Sequence, residues 1–192
     1  MPIFNSAPLV LRETLIFPYL DGADFVRWFQ SQYPDTMPYG PRLPRSTEHI
    51  LQPERYQAGD EPVMLRFVAE EGLVHDDGLG QFETQVLITE VTGSESTAKA
   101  AARGWGGDRY GVFAVEGDHA LVWWSVWDSP EAARRFIRVI EHEWTNLAKL
   151  GRRRAVRGTK LRERPAVLIL DAPDGWQRWD DPPRAVELPT SR

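Results

Sequence analysis

The sequence predicts an α+β fold: an antiparallel sheet, ordered β-β-α-β-β in its C-terminal part, packed with helices from the N-terminal part. Three observations point there. Residues 108–117 and 118–127 alternate apolar and polar around Glu116-Gly117-Asp118, as a hairpin does. A strongly amphipathic helix follows, with Ser129 as N-cap, Pro130 in the first helical position and Glu131 at the positive end of the dipole. A second pair of strand-like runs, 154–163 and 165–172, completes the order. Strands segregated from helices specify α+β rather than alternating α/β.

The remaining elements follow in chain order. Phe25, Val26, Trp28 and Phe29 give a short amphipathic helix over 24–33, with Asp21 or Asp24 at its start. Residues 34–46 hold four prolines and a glycine and predict a loop. Ser46 then caps a short helix, TEHIL, which Pro53 ends. Residues 61–69 read as a strand and 70–80 as a turn region. Residues 81–91 fit two periods: Phe82, Val86, Leu87 and Val91 suit a helix, whereas Val86, Ile88 and the threonines suit a strand. Helix is the expectation, because a helix over 95–105 follows and the two make a pair beneath the sheet. In the long helix Ala133, Phe136, Ile137, Ile140, Trp144 and Leu147 form one apolar stripe, with Lys149 in the last turn and Gly151 as the stop. Residues 1–172 thus read as one domain and 173–192 as a polar, proline-rich tail laid on the surface.

Composition excludes several classes of chemistry. The 192 residues carry no cysteine, which removes disulfides, thiolate catalysis and cysteine-based metal sites. The net charge of -5 gives no overall attraction to nucleic acid or anionic lipid. No apolar run is long enough to span a membrane, and the N-terminus lacks the basic and apolar regions of a signal peptide, so a cytoplasmic location is the default. Eight tryptophans are many for this length, and VWWSVW places Trp123 and Trp127 on one strand face and Trp124 on the other, which suits a sheet buried on both sides.

The stretch GWGGDRY suggests a phosphate loop, but it follows a helix and opens a strand, the reverse of the strand-to-helix order such loops require. Gly104 as a helix stop, with Gly106 and Gly107 turning the chain, accounts for it. A ligand role is left for Trp105, Asp108, Arg109 and Tyr110, where Arg109 could clamp an anion. Glu48 and His49 could form an acid–base pair, although a capped helix start also explains them. The four histidines are badly spaced for a metal: in EHEWTN, Asn146 stands where H-E-x-x-H needs its second histidine. No metal ligand set, cofactor or activated nucleophile is therefore expected. Residues 149–164 hold eight basic residues and one acid with no interleaved aromatic, and read as a solvated hairpin face rather than a nucleic-acid site.

The blocks LIFPYLDGADFV, STEHILQPERY, LGQFETQVL, GWGGDRYGVF and WDSPEAARRF, in this order, resemble the C-terminal half of a group of poorly characterised bacterial and archaeal zinc-metallopeptidase-like proteins. The resemblance spans residues 10–140. It implies a domain of such proteins without their H-E-x-x-H centre, so no catalytic residue carries over. The function so implied is a non-catalytic binding or interaction domain, with an unidentified protein or a small anionic ligand as partner and homo-oligomerisation open. The alternative is a small-molecule-binding protein or enzyme with a pocket between the sheet and the N-terminal helices, near Trp105, Arg109 and Tyr110.

Overall fold

The computed structural model describes residues 6–68, 71–147 and 149–189. Its centre is a five-stranded antiparallel sheet of order β2-β3-β4-β6-β5. The strands are β2 (Leu73–Asp77), β3 (Trp105–Val115), β4 (Asp118–Trp127), β5 (Arg152–Leu161) and β6 (Arg164–Pro173). A two-stranded ribbon pairs β1 (Leu65–Phe67) with β7 (Ala185–Glu187). The helices are α1 (Leu9–Ile16), α2 (Asp21–Gln32), α3 (Thr47–Leu51), α4 (Pro53–Ala58), α5 (Gly80–Thr92), α6 (Glu95–Ala102) and α7 (Pro130–Asn146). The α+β class and the β-β-α-β-β order of the C-terminal part hold.

Alternation along the strands builds two cores, because successive side chains leave a strand on opposite faces. Trp123, Trp127, Val167 and Ile169 project to one face, against Ile88 of α5, the alanines of α6 and the stripe of α7. Trp127 stacks on Phe136 at 4.5 Å, and Trp123 meets the same ring edge-on at 5.9 Å. Val122, Trp124, Leu168 and Leu170 project to the other face. Ser129 caps α7 by accepting from the backbone N–H of Ala132. Four residues of the proposed stripe, Ala133, Phe136, Ile140 and Trp144, are buried, Phe136 and Ile140 completely.

Several expectations need correction. The 61–69 strand shrinks to β1, and the 70–80 turn contains the edge strand β2, which pairs with β3 from Leu73↔Phe113 to Asp77↔Tyr110. The polar run HDD concealed it: an edge strand can carry charge where a central strand cannot. Pro53 does end α3, but it also opens α4 from the N1 position, where its missing N–H does no harm. Helix α7 stops at Asn146, with Leu147 as an exposed C-cap; Gly151, at φ +79°, instead leads into β5.

The largest correction concerns the C-terminal segment. Trp176 and Trp179 are buried against the outer face of the sheet, and Trp124 donates its indole N–H to the Pro183 carbonyl at 2.9 Å. The segment is a layer of the core, because the outer face of β4 and β6 is apolar and needs covering. The basic hairpin is also not a free solvated face. Arg152 and Arg154 both bond the Asp171 carboxylate, Arg153 lies 3.9 Å over the Trp179 ring, and Arg157 donates to the Trp179 carbonyl.

Candidate functional site

The GWGGDRY stretch resolves first. Gly104 follows the end of α6 at φ +91°, as the helix-stop reading requires. The strand begins at Trp105, earlier than expected, and a bulge lies between Trp105 and Gly107. A Cβ on Gly107 would stand 2.2 Å from the Val63 carbonyl oxygen, so only glycine fits where the lead-in to β1 crosses β3. The glycines serve backbone approach within the fold.

Asp108 is buried and fully engaged. One carboxylate oxygen accepts from the Leu79 N–H at 2.9 Å and the Trp123 indole at 2.7 Å; the other accepts from the Gly80 N–H at 3.0 Å. It therefore caps α5 from across the chain, supplying the acceptors that the first backbone donors of a helix lack. Burial raises its pKa, and the two backbone N–H groups and the indoles oppose that rise. Arg109 lies on the ladder between β3 and β2, where its Nε donates to Asp76 at 2.7 Å, and Asp77 stands 3.8 Å away. Tyr110 meets His75 at 3.1 Å. Trp105 belongs to the inner core. Asp108, Arg109 and Tyr110 thus have polar partners. Trp105 is packed in the core, where its buried indole N–H makes no hydrogen bond of normal geometry among the described residues, and the four do not converge on a common opening.

Glu48 and His49 sit elsewhere. The His49 N–H is accepted by the Ser46 hydroxyl at 3.4 Å, so the capped start of α3 is present. The ring of His49 is held at both nitrogens: Nδ1 accepts from the Arg45 N–H at 3.2 Å, and Nε2 bonds the Asp60 carbonyl. With Nδ1 accepting, Nε2 carries the proton, and the ring is a neutral strut between two loops. Glu48 is 2% exposed. Burial pushes its pKa from 4.5 up to about 7; Asp128, Asp60 and Glu54 push the same way, and Arg55 pulls it down. Arg55 bridges Asp60 and Asp128. A small cleft of about 30 Å³ opens beside Glu48, between Asp60, Asp128, Gly106 and Trp127. That volume admits a water molecule but no organic ligand.

On its other side Glu48 connects to a larger space. The Gln52 side-chain amide donates to Glu48 at 3.4 Å and to the Gln81 carbonyl oxygen at 2.7 Å. Both glutamines are buried, and together they floor one lobe, of about 330 Å³, of a groove between α2–α3 and α5–α6. Glu54 and Arg103 stand at its rim. A second lobe of about 260 Å³ shares Asp21, Leu51, Gln85 and Lys99 with the first and adds Leu9, Phe82 and Val86 as an apolar wall. The two sides of the floor are tied together, because Thr47, at the start of α3, caps α5 by accepting the Phe82 N–H at 3.1 Å. Gly80 permits this approach: a Cβ there would meet the Thr47 hydroxyl at 2.5 Å.

Sequence reasoning singled out Glu48, as a partner of His49, but not Gln52, Gln81, Arg55, Asp60 or Asp128. The two glutamines lie 29 positions apart, and nothing local marks a glutamine as buried. Among the described residues no group of three or more His, Asp or Glu side chains is placed to hold a metal ion. No helix among them is long and apolar enough to cross a membrane.

The family model for a domain of unknown function, DUF8575, matches residues 66–174, more than half of the chain. The chain belongs to that family. No curated protein and no solved structure matches it. The DUF8575 stretch contains the whole five-stranded sheet, α5, α6 and α7. It supplies one wall of the groove, with Gln81, Gln85, Lys99 and Arg103; the facing wall, with Asp21, Leu51, Gln52 and Glu54, lies before it.

Proposed function

We propose that this chain is a small-molecule-binding domain whose site is the groove between α2–α3 and α5–α6. The observation that supports this most is the convergence of two locked, buried glutamine amides on the floor of a groove of ligand-sized volume. Binding sites combine an apolar wall with a few fixed polar groups, and here Phe82, Val86 and Leu51 stand beside Gln52 and Gln81. The groove replaces the region of Arg109 and Tyr110 as the candidate pocket.

The test is a thermal-shift screen with amino acids, amides, nucleosides and organic acids, followed by Gln85→Trp, which fills the junction of the lobes. A ligand at 100 times its Kd stabilises by about 2.7 kcal/mol, a Tm rise of about 5–11 °C for a chain of this size. Loss of that rise in Gln85→Trp is the expected result. A screen without a hit, or a hit indifferent to Gln85→Trp, refutes the reading.

A second reading, an interaction domain, draws on α1, which leaves Val10, Leu11 and Leu15 exposed on one short helix. Light scattering on the purified chain with and without Leu11→Glu and Leu15→Glu tests whether a second copy covers them. We also propose, from the order of the sequence blocks alone, that the domain derives from metallopeptidase-like proteins and works beside a separate catalytic domain.

A further inference from the structure

We propose that the groove recognises its ligand through a carboxamide or ureido head group seated on Gln52 and Gln81. This rests on the groove being the binding site, and it narrows the ligand class from polar small molecules to those that offer one donor and one acceptor on the same edge.

The argument is an inventory of amide atoms. Gln52 uses its Nε2 twice, towards Gln81 Oε1 at 2.7 Å and Glu48 Oε1 at 3.4 Å. Gln81 uses its Oε1 to accept from Gln52. A primary amide has one acceptor oxygen and two N–H donors. Gln52 Oε1 and Gln81 Nε2 therefore remain without a hydrogen-bond partner among the described residues. Neither is among the fully enclosed side-chain atoms that lack a partner, so each keeps an opening, and both residues line the 330 Å³ lobe. The floor thus shows an incoming molecule one acceptor and one donor.

Amide orientation does not undermine this pattern. With Glu48 ionised, Gln52 must turn its nitrogen to two acceptors, which fixes both amides as described. If Glu48 holds a proton and donates it, both amides can turn over together. The floor then offers Gln52 Nε2 and Gln81 Oε1, which is still one donor and one acceptor with their order exchanged. The groups that face Glu48 and set its charge are Arg55 and Glu54 of α4, with Asp60 and Asp128 from the adjoining loops. Of these only Glu54 lines the lobe, at its rim.

A carboxamide edge carries an N–H and a C=O side by side and satisfies both floor atoms. A carboxylate carries only acceptors and leaves Gln52 Oε1 opposed to a lone pair. One mismatched hydrogen bond at a buried floor weakens binding by about 10- to 100-fold. The rim carries charge of both signs, Asp21 and Glu54 on one wall, Lys99 and Arg103 on the other. The Arg103–Glu54 pair at 3.7 Å and the Lys99–Glu95 pair at 2.7 Å are exposed, and a zwitterion exchanges these weak contacts for its own. A zwitterion bearing a carboxamide fits floor and rim together, which makes L-glutamine the first probe.

The experiment is a titration of the 15N-labelled full chain with L-glutamine against L-glutamate and nicotinamide against nicotinate, read at the side-chain amide resonances of Gln52 and Gln81. The expected result is that each amide binds about 10- to 100-fold more tightly than its acid and shifts those resonances. Gln81→Met, which removes the donor, should reduce the preference of each pair to about 3-fold or less. If that variant does not fold, the paired titrations on the parent chain still decide. Acids binding as tightly as amides at the same resonances overturn the carboxamide assignment and leave the groove as a binding site. So does a screened ligand without a carboxamide or ureido group that occupies the groove while all four probes leave it unchanged. A groove that no compound perturbs overturns both.

Discussion

Replacing Asp108 with alanine removes one carboxylate and strands one buried donor, the indole N–H of Trp123, and two half-buried ones, the N–H groups of Leu79 and Gly80. A buried donor left without a partner costs about 1–3 kcal/mol. These losses are partly offset, because the fold no longer has to desolvate a carboxylate whose pKa burial has already raised. The net expectation is a destabilisation of about 3–5 kcal/mol. At about 2–4 °C per kcal/mol for a chain of this size, Tm falls by about 6–20 °C. Differential scanning calorimetry and urea unfolding measure it, with an unchanged urea slope showing that only stability moved. The matched control is Arg109→Ala: its ion pair with Asp76 is partly exposed, and such pairs contribute about 0–1 kcal/mol. Should Asp108→Ala melt within about 2 °C of the parent, Asp108 is not the cap of α5 and the triplet returns as a ligand site.

Three further outcomes are expected. Glu48 has a folded pKa of about 7 against 4.5 when unfolded. Between these values the folded state keeps a proton that the unfolded state has lost, so the contribution is fully present below pH 4.5 and is lost as pH rises through 7. That loss amounts to at most about 3 kcal/mol. Glu48→Gln should therefore be near neutral at pH 4.5 and stabilising at pH 8 in urea unfolding; an equal effect at both pH values refutes the assignment. Gly107→Ala brings a Cβ against the Val63 carbonyl and should destabilise by about 3 kcal/mol or more, whereas Gly175→Ala, in open space, should stay within about 1 kcal/mol. Trp179→Ala should lower stability by about 3–5 kcal/mol, because the ring fills the outer core beneath Arg153; a loss under about 1 kcal/mol would mean that the segment merely lies on the surface.

The parts of the fold that the sequence made legible are those whose signal is periodic. The β3–β4 hairpin shows in its alternation, the buried Trp123 and Trp127 on one face and Trp124 on the other follow from it, and α7 shows in its stripe and cap. What failed depends on distant partners. β2 is polar and is a strand only because β3 offers a ladder to it. β1 and β7 are three residues each and exist through one another. The tail looked polar by composition, yet Trp176 and Trp179 decide where it lies. The site was half legible: Glu48 stood out as an acid near a helix cap. Gln52 and Gln81 could not, since a glutamine says nothing of its burial until two remote helices meet. Asp108 was singled out for its chemistry, and its neighbours in space turned that chemistry inward.

The pairing of β7 with β1 also has a consequence for synthesis on the ribosome. In a newly made chain, until residues 176–187 dock, a sheet paired through β6 leaves Val122, Trp124, Leu168 and Leu170 facing water. A chain caught in that interval carries an adhesive apolar plate, so a chain shortened after β6 should be held by chaperones more than the full chain.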